Sequence, residues 1–550
     1  WTSEGGLTES DVMVDSPTNN FCTLNPLDMN IDSYAITVSE GNLQAAGPSE
    51  GRNIRSTMGM PTGKWYWETC TTVSGIYNVA GIAKNSSPLN GVFGQDANGY
   101  TMFGQSGDKF NNNSTTAYGS AWNTVGDICG VAFDADNGTL VFYVNNSSQG
   151  TAFTGLTSGD FFPALAVRTG TAVMNFGQDS SFAGNKTPQG NQDSNGIGDF
   201  YYAPPTGFLA LCTANLPSVD VIPSENFNTV LYTGNGSTQS ITTDLNPDLV
   251  WMKPRSEARN HRLVDQLRGN GVLSSNTTDA ESTGGDLVLT STGFNLTSSS
   301  NNYNGSGITY VAWNWKAGGS ASSNTNGTIT SSVSANPSAG FSIVSYAGTA
   351  AANGTVGHGL SKAPSLYIIH DRTNGGQWPI YVESSGNGIK LDLSSTLGNA
   401  GTSFWNSTSP TASVFTIKNT STGDVLANGR NYIAYCFHSV DGYSKVGSYE
   451  ANNSTDGPFV NLDFKPAFVM IKPADVVADW FMFDNKRDID NAVAGNIYAN
   501  SSSAESLGDS LDFLSNGIKI RNSGTGGINY SGTYIFLAFA ESPFKHANAR

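Results

Sequence analysis

Four short apolar segments occur three times, in the same order, in the second half of this 550-residue chain. The first copy consists of Phe227–Tyr232, Pro247–Lys253, Gly293–Leu296 and Tyr310–Trp315. The matching segments lie 114 to 122 residues further along in the second copy, and another 102 or 103 residues along in the third. Landmarks that recur in constant order indicate repeated structural units. We therefore predict three copies of one β module, within residues 206–318, 341–441 and 442–550.

The composition of the segments predicts how each repeat is built. The Pro-led segment is apolar nearly throughout, which is typical of a central strand covered on both faces. The Tyr-led closing segment alternates large groups and should pack across the same core. Residues 319–340 are rich in Gly, Ser and Asn and read as a linker, whereas the second and third repeats meet directly at Asp441-Gly442. We expect the last two repeats to be rigidly joined and the first to be more independent.

The first half of the chain contains a clear β-hairpin pattern. Alternating apolar residues at 128–132 and 140–144 flank Asn137-Gly138, a dipeptide that suits the positive φ angles of a tight type I′ turn. A second turn signal, Asn145-Asn146-Ser147, ends the return strand. Further short strands between Tyr34 and Gly177, with turns between them and no helical period, predict an antiparallel β-sandwich. The fold class is therefore all-β.

Several motifs of this half resemble the SPRY (B30.2-type) domain family. In order they are G-K-W-Y-W-E, Y-x-V-A-G-I-A, G-D-I-C-G-V-A-F-D-A-D-N-G-T-L-V-F-Y-V-N, F-F-P-A-L-A-V and M-N-F-G-Q. The resemblance implies a bent two-sheet antiparallel sandwich over residues 31–205, after a polar N-terminal segment (1–30) and with 178–205 as a covering loop. It also implies recognition of proteins or glycans through loops at one end. The candidate loops are those around Tyr77-Asn78, Pro88–Asp96, Gly104–Gly119 and Thr157–Asp160.

Aromatic residues in turn-rich stretches are further candidates for binding. Sugar-binding surfaces stack apolar ring faces on Trp and Tyr while polar side chains hold the hydroxyl groups. Each aromatic taken singly is more often part of a core. As a group, the binding candidates are Tyr77, Asn78, Tyr100, Tyr118, Trp122 and Tyr303.

Two segments resemble virion proteins of tailed phages, especially marine ones. They are A-L-C-T-A-N-L-P at 210–217 and the C-terminal Y-I-F-L-A-F-A-E-S-P-F-K-H-A-N-A-R. The resemblance implies a tail fibre or spike-type appendage that recognises a glycan or protein of the host surface. By analogy it would be a homotrimer bound to other virion proteins, exposed on the virion exterior and assembled in the host cytoplasm. A head decoration or head fibre and a virion polysaccharide depolymerase are the alternatives.

Composition and motifs argue against several kinds of chemistry. The 27 basic and 44 acidic residues give a net charge of −17, which disfavours nucleic acid as a partner. Five scattered cysteines indicate buried free thiols. The chain has no run of 18 apolar residues, so we expect no insertion into a membrane. Asp134–Gly138 resembles a calcium loop, but Val144 stands where an EF-hand needs Glu. We predict no metal, no cofactor and no enzymatic activity, although carboxylate pairs that meet only in space remain open.

One stretch, Arg255–Arg268, is unusually dense in charge. We interpret it as a solvated connection between strands, with a subunit contact or a ligand loop as the alternative. His370 replaces the Lys found at the same position in the other two repeats, and we interpret it as a structural residue at the end of a strand.

Overall fold

The computed structural model describes residues 19–30, 34–157, 159–386, 391–398, 404–420 and 424–546. The chain divides into two compact units, residues 1–218 and 219–550. Strands account for 44% of it and helices for 2%, so the predicted all-β class is confirmed. Short 3-10 turns lie at Pro223–Glu225, Glu383–Ser385 and Phe544–His546.

The N-terminal unit is a sandwich of two mostly antiparallel sheets. Its strands are β1 (Leu24–Met29), β2 (Thr37–Ser39), β3 (Gln44–Ala46), β4 (Arg52–Ser56), β5 (Lys64–Val73), β6 (Tyr77–Lys84), β7 (Gly99–Phe103), β8 (Lys109–Asn111), β9 (Ser114–Thr116), β10 (Ile128–Asp134), β11 (Thr139–Val144), β12 (Ser147–Phe153), β13 (Phe161–Arg168), β14 (Thr171–Asn175) and β15 (Leu209–Ala210). One sheet has the order β1-β4-β13-β6-β7-β8-β9 and the other β12-β11-β10-β5-β14-β3-β2, with β15 added parallel to β5. Strand β1 shows that residues 24–29 of the predicted polar segment belong to the sandwich; residues 1–18 lie outside the described part.

The hairpin forms as predicted, but its turns differ from the prediction. Strands β10 and β11 pair antiparallel with Asp134 opposite Thr139, so the loop between them has four residues. Only Gly138 in that loop has a positive φ, because Asp134 accepts hydrogen bonds from the backbone and side chain of Asn137. The two-residue turn is Asn145-Asn146, where both φ angles are positive (48° and 70°) and β12 starts directly afterwards. The type I′ geometry thus belongs to the second turn.

The C-terminal unit contains the three repeats. Repeat 1 comprises β16 (Phe227–Thr233), β17 (Gln239–Thr242), β18 (Leu249–Pro254), β19 (Arg262–Asp265), β20 (Leu287–Thr290), β21 (Gly293–Leu296) and β22 (Thr309–Trp315); a hairpin of β23 (Ser322–Asn324) and β24 (Ser331–Asn336) follows. Repeat 2 comprises β25 (Phe341–Ala347), β26 (Asn353–Gly357), β27 (Leu366–Asp371), β28 (Pro379–Val382), β29 (Leu391–Asp392), β30 (Val414–Lys418) and β31 (Asn431–Phe437). Repeat 3 comprises β32 (Ser444–Glu450), β33 (Phe459–Asn461), β34 (Phe464–Pro473), β35 (Phe481–Asp484), β36 (Val493–Tyr498), β37 (Ser506–Leu514), β38 (Gly517–Ile520) and β39 (Thr533–Pro543).

Each repeat builds the same sheet from its landmark segments. The Tyr-led closing strand lies between the first strand and the Pro-led strand, giving the orders β16-β22-β18, β25-β31-β27 and β32-β39-β34. Strands β18 and β27 are buried along their whole length, as predicted from their apolar sequence. We call this sheet the inner sheet of the repeat. A separate sheet that includes β21 or β30 covers its outer face in repeats 1 and 2, and in repeat 3 the same sheet continues through β35, β36 and β37 to β38, which packs over that face.

A stacked pair of tyrosines marks every repeat. The two rings come from facing residues of the first and closing strands, and their centroids lie 4.8, 5.1 and 5.2 Å apart. The pairs are Tyr232 with Tyr310, Tyr346 with Tyr432, and Tyr449 with Tyr534. In each pair the first hydroxyl donates to a backbone carbonyl in the loop before the closing strand. The tyrosines therefore stabilise both the sheet and the loop that returns to it.

The three inner sheets pack against one another around a single apolar core. That shared core draws large side chains from every repeat, including Trp251, Trp313, Ile368, Phe437 and Phe539. Each repeat has a second core of its own between its two layers. The prediction that the first repeat is more independent is therefore wrong, because its inner sheet is buried by the other two. The predicted linker is also wrong in part: β24 pairs with β25 and extends the inner sheet of repeat 2.

The contacts between repeats run cyclically. The residue at one equivalent position of each Pro-led strand contacts a backbone carbonyl of another repeat: Lys253 Nζ lies 3.3 Å from Ser502 O, His370 Nε2 lies 3.0 Å from Asp279 O, and Lys472 Nζ lies 2.8 Å from Thr396 O. Repeat 1 thus contacts repeat 3, repeat 2 contacts repeat 1, and repeat 3 contacts repeat 2. His370 is fully buried and stacks on Trp378, in agreement with a structural role.

Buried ion networks stabilise two of these three interfaces. Arg268 binds Asp265 and Glu281, and Glu281 also binds Arg372 of repeat 2. In the same way, Arg487 binds Asp484 and Glu505, and Glu505 also binds Arg255 of repeat 1. At the third interface Ala474 occupies the position equivalent to Arg255 and Arg372.

The charge-dense stretch is therefore a contact between repeats of one chain. Arg255 and His261 reach repeat 3, and Arg268 is fully buried, so the solvated-connection interpretation is wrong for these residues. It fits Arg259, which is 42% exposed and pairs with Glu257, which is 41% exposed.

Candidate functional site

Three exposed apolar side chains lie at one end of the N-terminal sandwich, on Val73 at the end of β5 and on the loops that carry Ile76 and Val125. Val73, Ile76 and Val125 are 48%, 45% and 63% exposed. The segments that carry them are tied together, since Ser74 Oγ donates to Asn123 O at 2.6 Å and Gly126 N donates to Thr71 O at 2.8 Å. We call Val73, Ile76, Val125 and the loop residues between them the loop-end surface. Clustered exposed apolar residues on a folded protein are typical of an interaction site.

A glycine allows the loops at this end to pack closely. A Cβ atom added at Gly75 would lie 2.2 Å from Gly170 N and 2.5 Å from Arg168 O, on the turn between β13 and β14. Ile76 N donates to Arg168 O at 3.0 Å and to Thr169 Oγ1 at 2.9 Å. The loop that holds Ile76 is therefore fixed by backbone contacts. A fixed loop loses little conformational freedom on binding.

Cationic and aromatic side chains border the loop-end surface. Lys186 lies against Gly126, and its Nζ sits 5.5 Å from the centre of the Tyr201 ring. Tyr201 packs edge-to-face on Tyr202 with centroids 4.9 Å apart. On the opposite side of the surface, Arg168 lies next to Ile76 and accepts a hydrogen bond from its backbone N–H. The border of the surface therefore includes Tyr and Arg, two residue types that are enriched in binding hot spots.

Tyr77 and Asn78 lie beside this surface and have different surroundings. Tyr77 is half-buried, with its ring edge-to-face on Phe103 at 6.1 Å. Burial raises the pKa of its hydroxyl, which the nearby Arg168 and Arg52 oppose. Asn78 is fully buried and its Nδ2 lies 3.2 Å from Asn123 Oδ1. Asn78 therefore holds the loop that carries Val125 in place. Because Asn78 is buried, the prediction that it binds a ligand is wrong.

The exposure expected for Trp122 and Tyr303 is wrong. Trp122 is 0% exposed and packs on Gly104, whose missing side chain makes room for the indole. Tyr303 is 6% exposed in the core of repeat 1, where its carbonyl accepts a hydrogen bond from Tyr232 at 2.7 Å. Turn-rich sequence around both residues reflects tight packing by small neighbours.

Tyr100 and Tyr118 lie away from the loop-end surface, along one side of the sandwich. Tyr100 packs edge-to-face on Phe153 and Phe161, with centroids 5.3 and 5.9 Å apart. Tyr118 donates its hydroxyl hydrogen to Gly150 O. Both tyrosines contact β12, the edge strand, and the Tyr118 hydroxyl also accepts a hydrogen bond from Phe142 N at 3.4 Å, so it bridges β11 and β12 where their register shifts. The six predicted binding residues therefore do not form one site, and Ser158 of the candidate loop Thr157–Asp160 lies outside the described residues.

A buried carboxylate holds the covering loop in place. Glu68 on β5 is fully buried and accepts hydrogen bonds from Tyr202 N at 2.7 Å, Tyr201 N at 2.9 Å and Asn175 Nδ2 at 3.2 Å. Burial raises its pKa from the usual 4.5 to about 7, although these hydrogen bonds act in the opposite direction. Glu68 thereby places Tyr201 and Tyr202 at the border of the loop-end surface.

This raised pKa predicts a pH-dependent stability. The folded chain keeps a proton on Glu68 between the unfolded pKa of about 4.5 and the folded pKa of about 7, whereas the unfolded chain does not. The free energy of unfolding should fall as pH rises through this window, by about 3 kcal/mol in total. The measurement is urea unfolding at several pH values for the unsubstituted protein and Glu68→Gln. The fall in the free energy of unfolding that is due to Glu68 should be missing from the variant. Equal pH dependence of stability in both proteins would contradict this prediction.

The shared core contains a small apolar cavity. This cavity of about 20 Å³ lies between the inner sheets, lined by apolar or aromatic side chains such as Trp251, Ile368 and Met470. This volume is close to that of one water molecule, and the lining offers too few polar partners for one. Within the described ranges, no three metal-ligating side chains meet, and no helix has the length and hydropathy to cross a membrane. All five cysteines are buried and free, as predicted.

Comparisons with known proteins place two families on the chain. The family described as "Domain of unknown function (DUF7483)" matches residues 222–543, and the SPRY domain family matches residues 64–179. The chain is 28% identical over 226 residues to an ATP-dependent RNA helicase DDX1 of Xenopus laevis, covering 40% of this chain and 27% of that protein. It is 29% identical over 187 residues to the Ddx1 helicase of Drosophila melanogaster, covering 33% and 22%.

One solved structure similar to this chain is the SPRY domain of human HERC1. The two are 15% identical, the match covers 28% of this chain and 96% of that one, and the TM-score is 0.24. The chain spans about a quarter of the length of the curated helicases it matches. The SPRY match to residues 64–179 includes strands β5 to β14, which belong to both sheets of the sandwich, together with Val73, Ile76 and Val125.

Proposed function

We propose that this chain, which belongs to the DUF7483 family and carries a SPRY domain, is a non-catalytic recognition protein of a tailed-phage virion. In this proposal it is a tail fibre or spike-type appendage on the virion exterior, assembled in the host cytoplasm. The loop-end surface is the observation that supports recognition, because Val73, Ile76 and Val125 are exposed where hydrogen bonds fix the loops. The sequence resemblance at 210–217 and at the C-terminus supports the assignment to a phage.

The target that we propose is a protein or glycan of the host cell surface. Val73, Ile76 and Val125 suit an apolar patch on a protein, since burying apolar area stabilises association. Tyr201, Tyr202 and Lys186 suit an acidic sugar, whose ring can stack on an aromatic face while the cation binds the acid group. The two kinds of target share one surface, and the binding assay below distinguishes them.

The C-terminal unit suits the role of a rigid body in such an appendage. Its three inner sheets share one core, and buried ion networks link repeat 1 to both other repeats. We propose that this unit contacts other virion proteins and further copies of the chain. A homotrimer, expected by analogy with other appendages, is the alternative to the twofold assembly proposed below, and the mass in solution distinguishes the two.

The test is binding of the labelled full-length protein to intact host cells. We expect Val125→Asp to weaken binding at least about tenfold, because a charge placed among apolar contacts is costly to desolvate. The matched control is Val477→Asp, since Val477 in the C-terminal unit has the same 63% exposure as Val125. Circular dichroism of both variants checks that they fold. Equal binding by the two variants would contradict the assignment of the loop-end surface.

Parallel arms of this assay separate the alternatives. Loss of binding after protease treatment of the cells indicates a protein receptor, and loss after removal of surface polysaccharide indicates a glycan. Release of sugar would favour a polysaccharide depolymerase over the non-catalytic role. Absence of both binding and release would favour a head decoration or head fibre.

A further inference from the structure

The first strand of each repeat is an edge that differs among the three copies. Strands β16, β25 and β32 each pair with the closing strand of their repeat on one side. The outer edges of these three strands occupy equivalent positions in their repeats but have different neighbours. An edge strand with unpaired backbone groups can accept another strand, and proteins usually block such edges.

Two of the three edges are blocked. Strand β25 is covered by β24 along six residue pairs, from Phe341 with Asn336 to Tyr346 with Ser331. The start of β32 is closed by a turn, because Val440 and Ser444 exchange two backbone hydrogen bonds of 2.9 Å and Val446 N donates to Ser439 Oγ at 3.0 Å. Strand β32 also carries Lys445 and Glu450, charges that disfavour pairing with a further strand.

Among the strands that the structure describes, none pairs with the outer edge of β16, on which Thr229 is 5% exposed and Leu231 is 37% exposed. Backbone hydrogen bonds from Gly234 N to Ile308 O and from Lys316 N to Asn226 O show that the even-numbered residues of β16 face β22. The N–H and C=O groups of Thr229 and Leu231 therefore point to the other side. Among the residues that the structure describes, none pairs with these groups. The strand, FNTVLYT, contains no charge, proline or glycine, and the Leu231 side chain is 37% exposed.

We propose that β16 pairs antiparallel with β16 of a second copy of this chain, centred on Leu231. This register sets Thr229 opposite Thr233, so outward-facing residues meet only outward-facing residues and the ladder of hydrogen bonds can close on both strands. The two Leu231 side chains become neighbours and lose their exposure to water. The two inner sheets of repeat 1 then form one sheet across a twofold axis.

A second copy is the partner that the edge itself favours. Each chain carries a net charge of −17, so close approach of two copies needs a neutral surface, and β16 supplies one. The repeat also shows that it tolerates an added antiparallel strand here, because β24 occupies the equivalent edge of repeat 2. The pairing goes beyond the proposed function and does not depend on it.

The experiment measures the mass of the full-length protein in solution by light scattering at micromolar concentrations. We expect twice the chain mass of 57.8 kDa. Thr229→Pro and Leu231→Lys should each yield a monomer: the proline removes the outward N–H of Thr229, whose side chain is buried, and the lysine places two like charges at the centre of the pairing. The matched control, Ser448→Lys, changes the equivalent exposed position of β32 and should leave the dimer intact. Thermal unfolding checks that each variant folds.

A disulfide provides a second, independent measurement. The native cysteines are all buried, so a cysteine introduced by Leu231→Cys should be the one that reacts with its counterpart on mild oxidation. Directly opposite residues of a hydrogen-bonded pair lie about 5.5 Å apart at Cα, within the range that a disulfide spans. A monomer, a threefold mass, a dimer that survives both β16 substitutions, or absence of the Leu231→Cys crosslink would each overturn the proposal. Host-cell binding through the loop-end surface is measured separately and can succeed or fail on its own.

Discussion

Replacing Arg268 with alanine should lower the free energy of unfolding by about 3–5 kcal/mol, one of the two largest effects that we expect. Its guanidinium is fully buried and binds the buried carboxylate of Asp265, with Nε and Oδ2 2.5 Å apart. It also donates to Leu263 O at 2.9 Å and lies 3.1 Å from the Tyr435 hydroxyl of repeat 2. Without the arginine, Asp265 would remain buried with an uncompensated charge, which is why the loss should be large.

Urea unfolding of the full chain measures this effect. Arg259→Ala is the matched control in the same stretch, because Arg259 and its partner Glu257 are 42% and 41% exposed. An exposed pair of this kind contributes about 0–1 kcal/mol, so the control should change little. Equal losses for the two variants would show that the buried network does not stabilise the interface between repeats 1 and 2.

Replacing Phe539 with alanine should cost about 3–5 kcal/mol, the usual range for removing a buried phenylalanine side chain. Its ring contacts aromatic rings of all three repeats, with centroids 5.0 Å from Phe227, 5.9 Å from Phe437 and 5.8 Å from Tyr443. A cavity here removes contacts that hold the three inner sheets together. We therefore expect the repeats to lose stability together.

Hydrogen exchange followed by mass spectrometry can show whether they do. In Phe539→Ala, protection should fall in β22, β31 and β39 to similar extents, because all three closing strands border the shared core. Leu507→Ala is the control, since Leu507 is 83% exposed. Loss of protection confined to repeat 3 would mean that the repeats unfold separately, as the sequence alone had suggested for the first one.

The strands of the repeats could be predicted because each landmark segment carries its own signal. A run such as Leu249–Pro254 is apolar at nearly every position and can only be buried on both faces. The arrangement of three inner sheets around one core has no such local signal. Nothing in the sequence of β22 shows that Trp313 faces Asp484 of a repeat about 170 residues away. The sequence predicts a linker where β24 lies, because the small polar residues of β24 gain strand structure only from pairing with β25.

The candidate site shows a similar division. Resemblance to the SPRY family indicated loops at one end, and exposed residues do cluster on loops there. Sequence context could not tell that Trp122 is buried, because the glycine that makes room for it, Gly104, lies on another strand connection. The aromatic border at Tyr201 and Tyr202 was missed because the covering loop is polar and irregular. One signal for this border is present in the sequence. Glu68 is a lone carboxylate among large apolar residues, and a carboxylate buried there needs hydrogen-bond donors from another segment.

Three repeats in one chain also control how many partners the C-terminal unit can take. Three separate but identical chains in the same arrangement would have three identical edges, and pairing through all of them would build a branching network. Covalent linkage lets each copy change alone, so repeat 2 covers its edge with β24 and repeat 3 closes its own with a turn. The C-terminal unit can therefore pair with another chain through the first strand of one repeat, β16. Assembly through β16 therefore ends at two chains and cannot propagate.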